Sequence, residues 1–498
     1  MNDRVSVIGS GFSGMGAAAY LAREGFDVHV FEKNATAGGR ARQLTTSNGF
    51  VFDMGPSWYW MPDVFEKFFA DFNHEAADFY ELQQLDPAFE MVFKNSSLQI
   101  PSDFDELCET FETIEKGASE QLMGFMKQAE IKYKLGMGGP IYKPALSITE
   151  YFSAELIKFG LKADVFLSFR RHVRKYFSDP RLLALMEFPI LFLGAKPLNI
   201  PALYSLMNYA GLKLGTWYPK GGFGKVTEAM RYIAEEQGAT FYFNAEVDKV
   251  IAHNERVTAL DVNGGHFITN GVIAAADYHH IEQALLDKDC RNYEGSYWNR
   301  KIFAPSSLIF YLGINKKIDR LQHHTLFFDE DFDQHADEIY THPQWPSNPL
   351  FYVCCPSKSD DSIAPPGQEN LFLLMPVAPG LHDDESTRER YFKLMIKRIE
   401  DFAGESICSH IVFKKSYCIS DFINDYHAFR GNAYGLANTL SQTAILRPKI
   451  KNHRLKNLFY AGQLTVPGPG VPPSIISGKI AAGLLHKHLQ KRKDEITV

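Results

Sequence analysis

Two stretches at opposite ends of the chain carry glycines at spacings that set bare backbone beside a ligand. The first is Gly9-Ser10-Gly11-Phe12-Ser13-Gly14. In such a run Gly9 permits a tight turn, Gly11 lets backbone approach a diphosphate, and Gly14 lets a helix lie close to the strand before it. The helix N-terminus then offers unpaired N–H groups and the positive end of its dipole to an anion. Glu32 stands 21 residues after Gly11. A carboxylate at that place accepts hydrogen bonds from an adenosine ribose. Together these residues predict a dinucleotide site. The second stretch is AGQLTVPGPGVPPSIISGKIAAG, Ala461 to Gly483. Its proline and glycine content suits a linker, yet a strand-like NLFYAG enters it and a helix-like SIISGKIAAGLLHKHL leaves it.

The elements that must hold the first motif are legible around it. RVSVIG (4–9) and DVHVFEK (27–33) are short apolar runs rich in β-branched residues, and FSGMGAAAYLAREG (12–25) between them has a helical period. Strand, turn, helix and strand in about 30 residues open a parallel βαβ unit. From about 105 to 215 the pattern is mostly helical and rich in Phe, Tyr, Leu and Met, and short strands return between 239 and 276, with Asn263-Gly264-Gly265 as a hairpin turn. Strands and helices mix from about 300 to 420.

Composition narrows the function classes. The chain has 498 residues, 45% of them hydrophobic, and a formal net charge of −7, which argues against a nucleic-acid binder. Six cysteines without a CxxC spacing predict free thiols in a reducing cytoplasm and no disulfide framework. The strand pattern at the start leaves no signal peptide, and no apolar run reaches the roughly 18 residues of a membrane span. No GxSxG, HExxH or metal-ligand spacing occurs, so no metal site is expected. His279-His280 and His323-His324 are adjacent pairs, and neighbours on a strand point to opposite faces, which makes a poor chelate.

Six segments carry a resemblance. AGGRARQLTTSNGFVFDMGPSWY (37–59) resembles the GG motif and D-x-G-P turn of the two-dinucleotide-binding-domain flavoproteins, the group that holds amine oxidases and carotenoid desaturases. GTWYPKGGFGKVTEAM (215–230) and the later Glu246-Val247 step match the same group, whose strand valine lies beside the adenine. AGQLTVPGPGVPPSIISG resembles the C-terminal flavin motif of bacterial-type phytoene desaturases, and YHAFRGNAYGL (426–436) with LSQTAILRP (440–448) extends the likeness over nearly the whole chain.

The resemblance implies an α/β fold: a Rossmann-like, amine-oxidase-like FAD-binding domain with a discontinuous α+β substrate domain and a helical membrane-associating region. Residues 1–75, 215–290 and 451–498 would form three parts of the FAD-binding domain, the last with the C-terminal tail. Residues 76–214 would be a substrate and helical membrane-associating region and 291–450 the substrate domain of mixed sheet and helices. FAD is the implied cofactor. Its implied contacts are Gly9, Gly11, Phe12, Ser13, Gly14, Glu32, Lys33, Gly38, Gly39, Arg40, Gly55, Pro56, Ser57, Val247, Gly462, Gln463, Gly470, Val471 and Pro472. Arg40 would face the diphosphate with its fork of donors. Gln463 departs from the acidic residue that many relatives carry there. A helix starting near Pro473-Ser474 would aim its N-terminus at the flavin.

The implied activity is desaturation of an apolar C40 polyene, with phytoene as the expected substrate. The alternatives are a later-pathway desaturase of a hydroxylated or cyclised carotene, a carotenoid isomerase, and a non-enzymatic prenyl-binding carrier. Expected partners are a long isoprenoid, a membrane surface on the cytoplasmic side, and quinone or oxygen as electron acceptor, with no nucleic acid. Trp58, Tyr59, Trp60, Met61, Phe166, Phe169, Phe188, Phe192, Tyr204, Met207, Tyr209, Trp217 and Tyr218 are candidates for an apolar tunnel, and LIKFGLKADVFLSFRRHVRKYF (156–177) for a basic membrane-facing helix. No residue is singled out as the proton acceptor.

Overall fold

The computed structural model describes residues 3–151 and 167–497. Strands β1 (Arg4–Ile8) and β2 (Asp27–Phe31) flank helix α1 (Phe12–Arg23). They sit in a parallel five-stranded sheet whose order from one edge is 458–460, 271–274, β1, β2, 240–242. The sheet thus draws its strands from the beginning, the middle and the end of the chain.

Every residue of α1 from Phe12 to Ala22 is buried. A helix apolar on all sides must be covered on all sides, and this one lies between the sheet and the C-terminal helix Val471–Thr497. Small residues permit the approach. A Cβ on Gly478 would stand 2.3 Å from Ser13 O, so the two helix backbones touch there.

A second, seven-stranded sheet has the order 411–417, 306–314, 369–377, 351–354, 324–327, 89–93, 96–100. Its pairs are antiparallel except 324–327 with 89–93. Two of its strands, 89–93 and 96–100, precede the mostly helical stretch that begins near 105. FEMVF (89–93) enters the sheet because its one charge, Glu90, is fully buried but held in a fork by Arg320 Nη1 and Nη2 at 2.8 and 2.7 Å. A paired carboxylate can occupy an interior that an unpaired one cannot. From 104 onward the longest helices of that stretch among the described residues are Phe104–Ile114 and Ala118–Met137.

The antiparallel trio 247–253, 256–262 and 265–268 turns at Asn263-Gly264, both at positive φ of 47° and 75°. That is the two-residue hairpin turn expected there. Half of the basic helix expected over 156–177, residues 156–166, lies outside the described residues. In the described part, Arg170 pairs with Glu187 at 2.9 Å and Asp333 at 2.5 Å, and Arg174 also pairs with Glu187. These two cations are committed to protein carboxylates and do not form the free headgroup-facing stripe the sequence suggests.

Candidate active site

Every residue expected to touch the cofactor, Gly14 apart, lines one cavity of about 600 Å³. That size suits a small-molecule site, for which about 300–1,000 Å³ is usual. Gly14 faces the other way. A Cβ there would lie 2.0 Å from Gly9 O, so only glycine lets α1 rest on the end of β1.

The floor of the cavity is anion-binding backbone. Gly11 caps α1 without any side-chain bond to the first-turn N–H groups, and a Cβ built on it meets nothing within 4 Å. Gly39 presses against it, with its would-be Cβ 3.2 Å from Gly11 Cα. Glu32 holds this turn in shape. One carboxylate oxygen accepts from Ser10 N and Oγ, both at 2.9 Å, and the other from Asn34 N and Nδ2, both at 2.9 Å.

Arg40 is the cation of the site. Its Nη2 donates to Asn432 O at only 3.4 Å, its guanidinium lies 5.0 Å from the Tyr426 ring, and its Nε is buried with no hydrogen-bond partner. Burial pulls its pKa down. A desolvated guanidinium with an unfilled donor lacks an anion, so the residues fit a diphosphate. Gln463 completes this corner. With its amide turned to satisfy both ends, its oxygen accepts from Arg40 Nη2 at 3.2 Å and its nitrogen donates to Ala433 O at 3.3 Å. A neutral acceptor there cancels none of the positive charge of Arg40. Asp277, missed by sequence reading, also lines the cavity. Burial raises its pKa to about 6 against the opposing pull of Arg40, and its Oδ2 is unpartnered.

The far end is formed by Lys33, Glu246, Val247 and His280. His427 Nε2 meets Glu246 Oε1 at 2.7 Å and Lys33 Nζ at 3.1 Å, and its ring stacks on His280 at 3.9 Å.

The proline loop walls the opposite end. The C-terminal helix starts at Val471, two residues before the expected start, with Pro472 and Pro473 in its first turn. Prolines lack the N–H that would go unpaired in that turn. Arg447 supplies the loop's fastening and is another residue that sequence reasoning passed over. It is 2% exposed and donates to Thr465 O at 3.0 Å, Gln463 O at 2.9 Å, Asn438 Oδ1 at 2.5 Å and Gln442 O at 3.2 Å. Burial lowers its pKa to about 10, so it stays charged at neutral pH. Its only sequence signal is an arginine between apolar residues and proline in AILRP.

The rest of the cavity is apolar. Trp58, Trp60, Met61, Phe188, Tyr204 and Met207 line it as expected, whereas Tyr59, Phe169, Tyr209, Trp217 and Tyr218 do not. Phe166 and the side chain of Phe192 lie outside the described residues. The opposite wall comes from the seven-stranded sheet and its edge, through Leu326, Phe328, Leu350, Tyr352 and Leu374. A polar chain reaches this wall: Tyr352 OH lies 3.0 Å from Ser57 Oγ and 2.6 Å from His324 Nδ1. The expectation that His323 and His324 diverge fails. His323 precedes the strand that His324 opens, so the alternation rule does not apply, and the rings meet with centroids 4.4 Å apart.

Comparison with known proteins gives four findings. The family described as flavin containing amine oxidoreductase matches residues 12–486. A carotenoid 3,4-desaturase of Haloarcula japonica is 40% identical over 97% of this chain and 98% of its own length. A zeta-carotene-forming phytoene desaturase of Myxococcus xanthus is 30% identical over 96% and 92%. Among solved structures, an oxidoreductase from Methanosarcina mazei has a TM-score of 0.62 at 16% identity, covering 96% of this chain and 99% of that one, which shows the shared fold.

Proposed function

The chain belongs to the flavin containing amine oxidoreductases and, within them, to the carotenoid desaturases, and from that premise we propose that it is an FAD-dependent enzyme that places a 3,4 double bond in a long carotenoid. The coarser statement, an FAD oxidoreductase of the carotenoid desaturase family, follows from the family itself. The finer one departs from phytoene as the expected substrate. It is carried by the identity of 40% to the 3,4-desaturase against 30% to the phytoene desaturase, each over almost the whole chain.

The site residues named above divide the work. Gly11, Gly39 and Arg40 would hold the diphosphate, Glu32 would shape the turn beside the ribose, Val247 would border the adenine, and the Gly462–Pro472 loop would border the flavin ring. Bound FAD supplies hydride acceptance for the CH–CH oxidation. The chain's own part is to bind the polyene between Trp58, Phe188 and the sheet wall, to hold it beside the proline loop, and to exclude water. Quinone or oxygen is the proposed terminal acceptor.

Such a substrate arrives from a bilayer, and we place the docking face near the cavity mouth. No helix among the described residues is long and apolar enough to cross a membrane. Leu146, Ile148, Leu440 and Leu446 are large, apolar and exposed. They flank two loops joined by Lys449, whose Nζ donates to Ala145 O at 3.3 Å and Ile445 O at 3.0 Å. Lys143 and Ala444 of the same loops line the cavity. Exposed apolar groups beside a cavity mouth are suited to insertion at a lipid interface.

The deciding experiment incubates the flavoprotein with liposomes carrying either phytoene or a 3,4-dihydrocarotenoid and resolves the pigments by chromatography. The expected result is a red-shifted product from the 3,4-dihydro substrate alone. Conversion of phytoene in preference would restore the first expectation. Failure of both, with FAD bound, would refute the desaturase assignment.

A further inference from the structure

Behind the Trp58 wall lies a polar cluster that binding of cofactor and polyene does not use. His324 pairs in register with Cys354 across two antiparallel strands, and His323 O accepts from Cys355 N at 2.8 Å. A ring nitrogen of each histidine and Cys354 Sγ all lie within 4.8 Å of one another. His323, His324 and Cys354 are 4%, 0% and 2% exposed. Each Nδ1 is already engaged, His323 with Ser359 Oγ at 2.9 Å and His324 with Tyr352 OH at 2.6 Å. Each Nε2 is buried without a hydrogen-bond partner. An unsatisfied buried nitrogen is destabilising, and two of them on rings packed against one thiol call for a common partner. A separate void of about 10 Å³, lined by Cys354, Asp53, Ser57 and Tyr218, adjoins them.

We propose that His323, His324 and Cys354 form a site for one thiophilic d10 metal ion, copper(I). Two imidazoles and a thiol are the soft and borderline donors such ions select. Nδ1 bonds to Ser359 and Tyr352 orient the rings as outer partners do around metal-bound histidines. The ladder between the two strands fixes the backbone of His324 and Cys354. Bonds of about 2.0–2.3 Å in a trigonal set draw the three donors to about 3.5–3.7 Å apart, a closure of side chains alone. Copper(I) with one thiolate is neutral, whereas zinc(II) would leave a net positive charge in a dry interior. The ion would cross-link the sheet behind the cavity. His324 stacks on Trp58 with centroids 4.1 Å apart, so the clasp would brace both Trp58 and Tyr352.

The test uses the full-length flavoprotein, stripped of metal and titrated anaerobically with copper(I) against a coloured copper(I) chelator, and separately with zinc(II). One copper per chain is expected. Cys354→Ser and His323→Gln should each weaken it by at least about 10–100-fold, while Cys355→Ser, next in sequence but outside the cluster, should retain it. Bound copper should raise the melting temperature of the wild type and of Cys355→Ser only. X-ray absorption of the loaded wild type should show one sulfur and nitrogen donors, and this readout stands even if a variant fails to fold. No stoichiometric copper, equal binding by Cys354→Ser, or a shell without sulfur would overturn the site. Stoichiometric zinc with no copper would overturn the choice of ion.

Discussion

At the scale of single residues, the cavity is governed by charges held out of water. Arg40 has an unfilled donor facing the cofactor site, so its removal should cost charge-assisted bonds. Arg40→Ala should weaken FAD binding by about 10–100-fold, corresponding to roughly 1.5–3 kcal/mol, as read by flavin fluorescence titration, and Arg40→Lys should recover only part of it because an ammonium lacks the fork. Asp277 gives a pH signature. Its pKa in the folded protein is about 6, against an ordinary value of 3.8. Between those values the folded protein binds the extra proton, so this carboxyl makes stability fall as pH rises, by at most about 1.4 kcal/mol per pH unit. Asp277→Asn removes the titration. The melting temperature of Asp277→Asn relative to wild type should therefore climb from pH 4 to 6 and level off above. A flat difference would refute the assigned pKa.

At the scale of elements, two helices whose first residues line the cavity pack against each other, and their approach depends on glycine. Gly478→Ala would place a methyl 2.3 Å from Ser13 O, which is backbone and cannot turn aside. Overpacking of this kind costs about 1–3 kcal/mol, so chemical denaturation should show a lowered midpoint together with faster loss of flavin. Gly470 sits at φ +109°, and a Cβ there would also meet Pro473 Cδ at 3.3 Å. Gly470→Val should release FAD on gel filtration. Truncation after Lys491 removes only the end of the last helix, beyond the cavity lining, and should leave FAD in place. The proline loop is therefore no linker, since Arg447 stitches it from below and the C-terminal helix continues out of it.

At the scale of the whole molecule, the cavity is a seam. One side is the parallel sheet with its two glycine-dependent helices, and the other is the seven-stranded sheet. Replacing Leu146, Ile148 and Leu446 together by Ser should cut co-sedimentation with liposomes by tenfold or more, since burying each side chain contributes about 1.5–3 kcal/mol. FAD retention should be unchanged, because none of the three lines the cavity. Unchanged sedimentation would remove this face as the docking surface.

What the sequence determined by itself is local or backbone-coded. The glycine spacing at Gly9–Gly14, the strand–helix–strand around it, the Asn263-Gly264 turn and the apolar run into Ala461 could be read because each depends on neighbours a few residues away. Family likeness added Gly38–Arg40, Val247 and the Gly462–Pro472 loop, and the fold brings all of these to one cavity. Only tertiary structure decided which aromatics face that cavity: Trp58 does and Tyr59 does not, a difference set by which side of the backbone the seam lies on. It alone joined Arg447 to the loop, Asp277 to Arg40, and His323 and His324 to Cys354, about 30 residues away. Those partners belong to elements that meet only after folding. Burial then perturbs their charges, and no spacing along the chain encodes it.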